Sequence, residues 1–483
     1  MRIEKARYQL AILPEHRGNP LIEALPAKLS DEELVDVLAY TPTCLLEERD
    51  ISAFERVEYL SRLKSLRQPQ PVHFEVFRAI EVAIKDGYSA KSPHSPTTMN
   101  YLHYPLDKRP EVEPRTGFFQ PKGSGITVIG ESGVGKTCML EQVLGYFPDV
   151  ILHEESSVGL MSLRQVVWLK IDCPDDSSVK GLCHRILEEL DRKLEIKPTR
   201  PASTIALLIS QIEAKIKFSF LGILVIDEMQ NLNLAKAGGA DRLLGFLHNL
   251  VNNLGIPLLF CANPPFNKLL SKSLKAARRA ESGGYFEVGL LDQRNGEWEL
   301  FVEELWELQW TDVYTPFTRE LGEKLYELCV GNMDLAVRIF RSAQQAIIGS
   351  KDERLTGEVL EKGASIAIRA TAKARDELRH EQKINLLKRK KSRAEPSSQT
   401  NVASAKKVPV SISKSNLVQI PGDLSRPHHP EFADVLTKLQ YTEDLYELIP
   451  DLDLFQRASE EDDPLDMLKK AGVFCEDPLK AFA

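Results

Sequence analysis

Four runs of consecutive apolar residues, 126–130 (ITVIG), 166–172 (VVWLKID), 221–227 (LGILVID) and 256–263 (IPLLFCAN), are separated by stretches with helical spacing. Continuous rather than alternating apolarity suits parallel strands buried on both faces by helices, so the pattern predicts an α/β core. Upstream, short helical patterns alternate with proline-containing joints. In residues 30–38 (SDEELVDVL) Ser30 can cap a helix and Glu33 can complete a capping box. Residues 74–85 (FEVFRAIEVAIK) carry apolar groups at helical spacing up to Gly87, and 89–100 is a Ser/Pro/Thr-rich loop. Residues 297–368 read as a helical bundle, 366–393 as a basic helical run ending in LLKRKKSR, and 394–430 as a linker. The end of the chain is acidic, with short amphipathic pieces at 432–448 and 464–474.

Composition narrows the class. With 483 residues, 43% of them hydrophobic, the chain can bury a sizeable core and is not a disordered polymer. No apolar run reaches the roughly 18 residues of a membrane span. The N-terminus (MRIEKARYQL) is charged where a signal peptide is apolar, which leads us to expect a soluble, cytoplasmic protein with no membrane partner. The 7 cysteines are scattered without a CxxC pair and read as core thiols. The net charge of -8 disfavours nucleic acid only until it is divided by segment, since it averages a basic stretch with an acidic end.

The chemistry begins at Gly130, Glu131, Ser132, Gly133, Val134, Gly135, Lys136 and Thr137 (GESGVGKT), a complete GxxxxGKT phosphate loop between an apolar strand and a helical run. Glycines let backbone N–H groups wrap phosphates, the helix N-terminus favours negative charge, and Lys136 reaches the β and γ phosphates of ATP. Thr137 is expected to hold Mg²⁺ together with Asp227, which ends the strand LGILVID. Glu228 follows it, placed to orient and deprotonate an attacking water. Asn263 ends a third strand; it either senses the γ-phosphate and positions that water, or caps the turn before Pro264 and Pro265. One of Arg278 and Arg279 (LKAARRAESGG), the doublet not saying which, is expected to act as an arginine finger in a neighbouring subunit's site, the alternative being a solvated basic helix end. Ser178 and Lys180, at a helix start within PDDSSVKGLCHR, can meet a DNA phosphate, the alternative being ordinary capping beside a solvated lysine.

The order GESGVGKT, LGILVIDEMQ, CAN, AARR and then a helical lid resembles an AAA+ ATPase. Finer wording at 19–26 (NPLIEALP), 169–173 (LKIDC), 222–230 (GILVIDEMQ) and 331–340 (GNMDLAVRIF) resembles TnsC, the target-selection regulator of Tn-seven-type transposons, over about the first 370 residues. The resemblance implies an AAA+ parallel-sheet P-loop core with a helical lid, an N-terminal helical region and a partly disordered tail. It implies a bacterial ATPase, nucleoid-associated on double-stranded DNA, that assembles as a ring or helical filament and takes information from a target-selection protein to transposase subunits. The corresponding segments are 1–112 for the targeting factor, 113–296 for the ATPase core, 297–368 for the lid, 369–430 for a basic helix and linker, and 431–483 for a transposase-binding tail. One departure concerns the second-sensor arginine usual three residues after a lid glycine. Here Gly331 is followed by Asn332, Met333 and Asp334, and Arg338 is the nearest replacement. The other readings are an origin-type or loader ATPase of DNA replication and a signalling NTPase that does not touch DNA.

Overall fold

A computed structural model of the protein describes residues 1–94, 123–154, 162–173, 178–231, 251, 255–264, 266, 280–369, 375–376 and 379–380. The chain divides into two units, Met1–Pro396 and Ser397–Ala483. All of the second, with the acidic tail, lies outside the described residues, as do Arg278, Arg279 and most of the basic run.

In chain order the described elements are β1 (Ile3–Lys5), α1 (Pro20–Glu23), α2 (Asp31–Leu38), α3 (Ala53–Tyr59), α4 (Pro71–Ser89), β2 (Gly125–Gly130), α5 (Lys136–Tyr146), β3 (Val150–His153), β4 (Leu163–Val166) and β5 (Trp168–Asp172). They continue with α6 (Val179–Leu194), α7 (Ile205–Ser219), β6 (Ile223–Asp227), β7 (Leu258–Ala262), β8 (Gly284–Val288), α8 (Glu297–Glu307), α9 (Arg319–Cys329), α10 (Met333–Ile347) and α11 (Gly357–Ala367). Local chemistry sets several boundaries. The Ser30 hydroxyl accepts from the Glu33 N–H while the Glu33 carboxylate accepts from the Ser30 N–H, closing the expected capping box of α2. Pro71 opens α4 at the helical position where its missing N–H costs nothing.

Strands β5-β6-β7-β2-β8 form a sheet in that order, every neighbouring pair parallel. The three central strands, β6, β7 and β2, are buried on both faces. On β6, Leu224 and Ile226 pack on one side with Leu182, Ile186 and Leu190 of α6, and Ile223 and Val225 on the other with Val76, Ile80, Leu140 and Val143 of α4 and α5. This two-sided burial is the reason the strands are continuously apolar in sequence. The carboxyl ends of all five lie on one edge. A smaller sheet, β1-β3-β4, pairs β1 parallel and β4 antiparallel to β3. The apolar runs do not predict β1, β3 and β4, which have only three or four residues each, or β8, which is as long as β6 and β7 but carries Gly284 and Glu287 among its apolar groups.

A third cluster builds the lid from α8–α11, around Trp298, Trp306, Trp310, Phe340 and Leu360. The N-terminal region contributes to both bodies. Leu21, Leu34 and Leu38 join α4 in the core layer, whereas Leu60, Leu63 and Leu66 pack inside the lid. The chain therefore crosses from core to lid and back, and the two crossings are stitched by reciprocal backbone bonds between Tyr40 and Arg67, 2.9 and 2.8 Å. The start of α4 and the 289–296 connection open onto one cleft of about 300 Å³, lined by Gln70, Val72 and Glu75 and by Gly289, Leu290 and Glu297.

The lid-side half is anchored by charge. Arg56 of α3 donates to both Glu353 oxygens and, at 3.0 Å, to the Trp310 carbonyl; Glu353 also accepts from the Asp312 N–H at 2.8 Å and the Gly349 N–H at 2.6 Å. Burial works to raise the Glu353 pKa, but these donors outweigh it and hold the carboxyl at about 2, against an ordinary 4.5. A carboxyl depressed this far contributes about 3 kcal/mol, present above pH 4.5 and lost as pH falls toward 2. Glu353→Gln is accordingly expected to destabilise the protein by about that amount at pH 7, with the gap from wild type narrowing below pH 4.5 in denaturant titrations. A gap independent of pH would show the tie is not ionic.

Candidate nucleotide site

Gly133 and Gly135 have φ of 83° and 94°, the left-handed region that turns successive N–H groups inward before α5 begins at Lys136. Space adds a constraint at Gly133, where the Asn332 side chain that a Cβ would meet is held by its own bonds, and less at Gly135, where it would meet only a flexible methionine end. A Cβ on Gly133 would sit 2.8 Å from the Asn332 side-chain oxygen, and one on Gly135 2.8 Å from the Met333 methyl. Lys136 is buried, and its ammonium donates to the carbonyls of Gly130 (2.9 Å) and Glu131 (2.8 Å) and to Asn263 Oδ1 (2.6 Å). Burial lowers its pKa, with Asp227, Glu228 and Glu131 pulling the other way.

Asp227, 1% exposed, is the acidic centre. Its Oδ2 accepts from the Thr137 hydroxyl at 3.1 Å and lies 3.1 Å from the Lys170 ammonium; its Oδ1 accepts from the Glu228 N–H at 2.9 Å. Lys170 reaches it from β5, where Asp172 stands beside Asp227 in register and lies 3.0 Å from the same ammonium. Burial works against the Lys170 charge, but the two carboxylates prevail and raise its pKa. Glu228 has φ of 56°, an unusual left-handed conformation for a residue with a side chain, and a 3₁₀ turn, Met229–Asn231, follows it. That turn brings the Gln230 amide onto the Glu228 carboxylate, while Gln230 Oε1 accepts from the Asn263 N–H at 2.9 Å.

The lid closes directly on the loop. Asn332 caps α10 by accepting from the Leu335 N–H at 3.1 Å and donates to the Ser132 carbonyl at 2.9 Å; the Asp334 N–H donates to the Gly133 carbonyl at 3.1 Å. Gln70, at the start of α4, donates to Met333 sulfur at 3.6 Å. N-terminal region, core and lid thus converge on one loop. Arg338 is engaged within the lid, 3.4 Å from Asp334 and donating to the Ala367 carbonyl, and the lid residues that touch the loop are Asn332, Met333 and Asp334.

The eight loop residues, Asp227, Glu228 and Asn263 therefore meet at the carboxyl edge of the sheet. Ser178 and Lys180 are not bonded to this cluster in any contact described: Ser178 accepts from the Gly181 N–H at 2.9 Å, capping α6, and Lys180 is exposed at the second residue of that helix. Sequence reading overlooked Lys170, Gln230, Asn332, Met333 and Gln70. Lys170 and Gln230 lie within the quoted LKIDC and DEMQ stretches, but nothing local says that their side chains turn to the acidic pair. No group of three or more His, Cys, Asp or Glu placed to hold a metal occurs among the described residues. One hydroxyl and one carboxylate instead suit magnesium, which takes its remaining ligands from phosphates and water.

Fold and site together define a P-loop core of the AAA+ type. Residues 122–270 match the family model described as an AAA domain. Among solved structures, the chain is similar to the ORC2 protein of Aeropyrum pernix in its ADP form, at 16% identity and TM-score 0.34, covering 51% of this chain and 63% of that one. It is also similar to a Walker-type ATPase of Pyrococcus abyssi (14%, TM-score 0.35, 53% and 71%) and to Drosophila ORC bound to DNA (14%, TM-score 0.34, 52% and 57%). The chain thus spans less than two thirds of the ORC2 structure it matches. No curated protein matches it. No helix among the described residues is long and apolar enough to cross a membrane.

Proposed function

We propose that this protein is a Mg²⁺-dependent ATPase that assembles on double-stranded DNA and regulates transposition, linking a target-selection protein to transposase subunits. The carrying observation is the convergence of Lys136, Thr137, Asp227, Glu228 and Asn263 at one sheet edge beneath a docked lid. In this reading the loop N–H groups and Lys136 hold the phosphates, Thr137 and Asp227 hold magnesium, and Glu228 takes the proton of the attacking water. Held by Thr137 and Asp227, magnesium would supply positive charge against the charge that develops on the phosphates. Lys170 orients Asp227 from the neighbouring strand. Arg278 or Arg279 completes the site of an adjacent subunit, so a ring or filament is the active form. Ser178, Lys180 and the basic run beginning at Arg369 supply phosphate contacts, and the acidic end of the chain faces the transposase.

The transposition assignment rests on the sequence wording of the N-terminal and lid pieces. Electron microscopy and gel shift on random-sequence duplex, with a non-hydrolysable ATP analogue, test it. Nucleotide-dependent, cooperative, sequence-independent coating of DNA is expected. Preference for one origin-like sequence would favour a replication ATPase, and no binding would leave a nucleotide switch that does not touch DNA.

A further inference from the structure

The turn after β6 holds a contact that the motif reading leaves unused. Gln230 Oε1 accepts from the Asn263 backbone N–H at 2.9 Å, and its Nε2 donates to Glu228 Oε2. The orientation of the amide follows from its partners. An N–H can only donate, so it must face the amide oxygen, and the NH₂ group is left to face the carboxylate. Both ends of Gln230 are thereby fixed, and the turn itself is pinned by buried Met229 and by the Asn231 N–H donating to the Glu228 carbonyl at 2.9 Å.

Continuity with the phosphate loop gives this contact its meaning. Lys136 donates to Asn263 Oδ1, the Asn263 N–H donates to Gln230, and Gln230 donates to Glu228. One bonded path joins the residue that meets the γ-phosphate to the carboxylate that meets the water. Glu228 is held in a left-handed backbone conformation, in which its side chain lacks the support of regular structure. Its aim then depends on what grips its oxygens.

We propose that Gln230 is the positioning residue of Glu228: it occupies one carboxylate oxygen, leaves the other for water, and passes a change in the Lys136–Asn263 contact to the base. The proposal rests on the ATPase reading above. A phosphate that draws Lys136 away from Asn263 Oδ1 removes one of the bonds that hold Asn263, and only a shift of the Asn263 backbone, to which Gln230 is bonded, would carry that change on to Glu228.

The test uses the full chain and three variants, Gln230→Met, Glu228→Gln and the double variant, with ATP turnover measured alongside binding of a fluorescent ATP analogue. Gln230→Met keeps the side chain's length and removes both bonds. It is expected to lower kcat by about 10- to 100-fold, as misplacement of a reacting group does, with analogue affinity and KM unchanged within about twofold. Added to Glu228→Gln it should cost nothing further, because Gln230 acts only through that carboxylate. A merely structural Gln230 would instead weaken analogue binding and add its loss to that of Glu228→Gln; that result, or an unchanged kcat in Gln230→Met, overturns the proposal. Failure of the underlying reading looks different: the wild-type chain itself would not hydrolyse ATP, or Glu228→Gln would turn over normally.

Discussion

Glu228→Gln is expected to slow ATP hydrolysis by about 10²- to 10⁴-fold, the range of a lost general base, while leaving ATP binding intact. The substitution keeps the side chain's size and its hydrogen bonding to Gln230 but removes the charge that accepts the water's proton. It touches neither Lys136 nor the Thr137–Asp227 pair, so the determinants of binding stay in place. If hydrolysis controls disassembly, the variant's DNA complexes should outlive those of wild type by a comparable factor. Dissociation after an ATP chase measures this. Turnover near the wild-type rate would remove Glu228 as the base.

Lys136→Met is expected to abolish measurable ATP binding, and with it assembly on DNA. A charge-assisted contact is worth about 1.5–3 kcal/mol, and loss of several phosphate contacts together takes affinity down by about 10²-fold or more. Stability should move the other way or not at all. Burial lowers the pKa of Lys136. A lysine whose folded pKa lies below its unfolded one costs stability at every pH under the unfolded value, so replacing it with an uncharged side chain that retains the packed stem relieves that cost. A melting temperature at or above wild type, together with lost binding, separates a missing phosphate contact from a broken fold. Normal DNA filaments from this variant would sink the nucleotide-dependent scheme.

Sequence legibility followed the range of the contacts. The phosphate loop, Asp227 and Glu228 could be read because each lies within a few residues of the strand that aims it. Continuous apolarity named four strands of the five-stranded sheet. It missed β8, GYFEV, whose residues are mostly half-buried at the sheet's edge. Lys170 and Asn332 carry no assignment in the sequence for a different reason, and Gln230, although only two residues from Glu228, is fixed by the distant Asn263 N–H. Lys170 meets Asp227 across 57 positions, and Asn332 meets Ser132 with a separation of 200. Propensity and spacing carry no trace of such pairings, which exist only once β5 lies beside β6 and the lid has docked. The departure at 331–334 was visible as a missing arginine, but the asparagine there, which caps α10 and holds the loop with one side chain, needed the packed lid to be recognised.

The double crossing of the N-terminal chain bears on how the lid can move. A lid hung from the 289–296 connection alone would swivel in any direction, like a weight on a cord. Here the chain returns to the core at Gln70, which shares a cleft with that connection, and the Tyr40–Arg67 bridge ties the outgoing crossing to the returning one. The lid is thus joined to the core by three stretches of chain, two of them bonded to each other, rather than by one, and the N-terminal segment packed inside it is part of the same body.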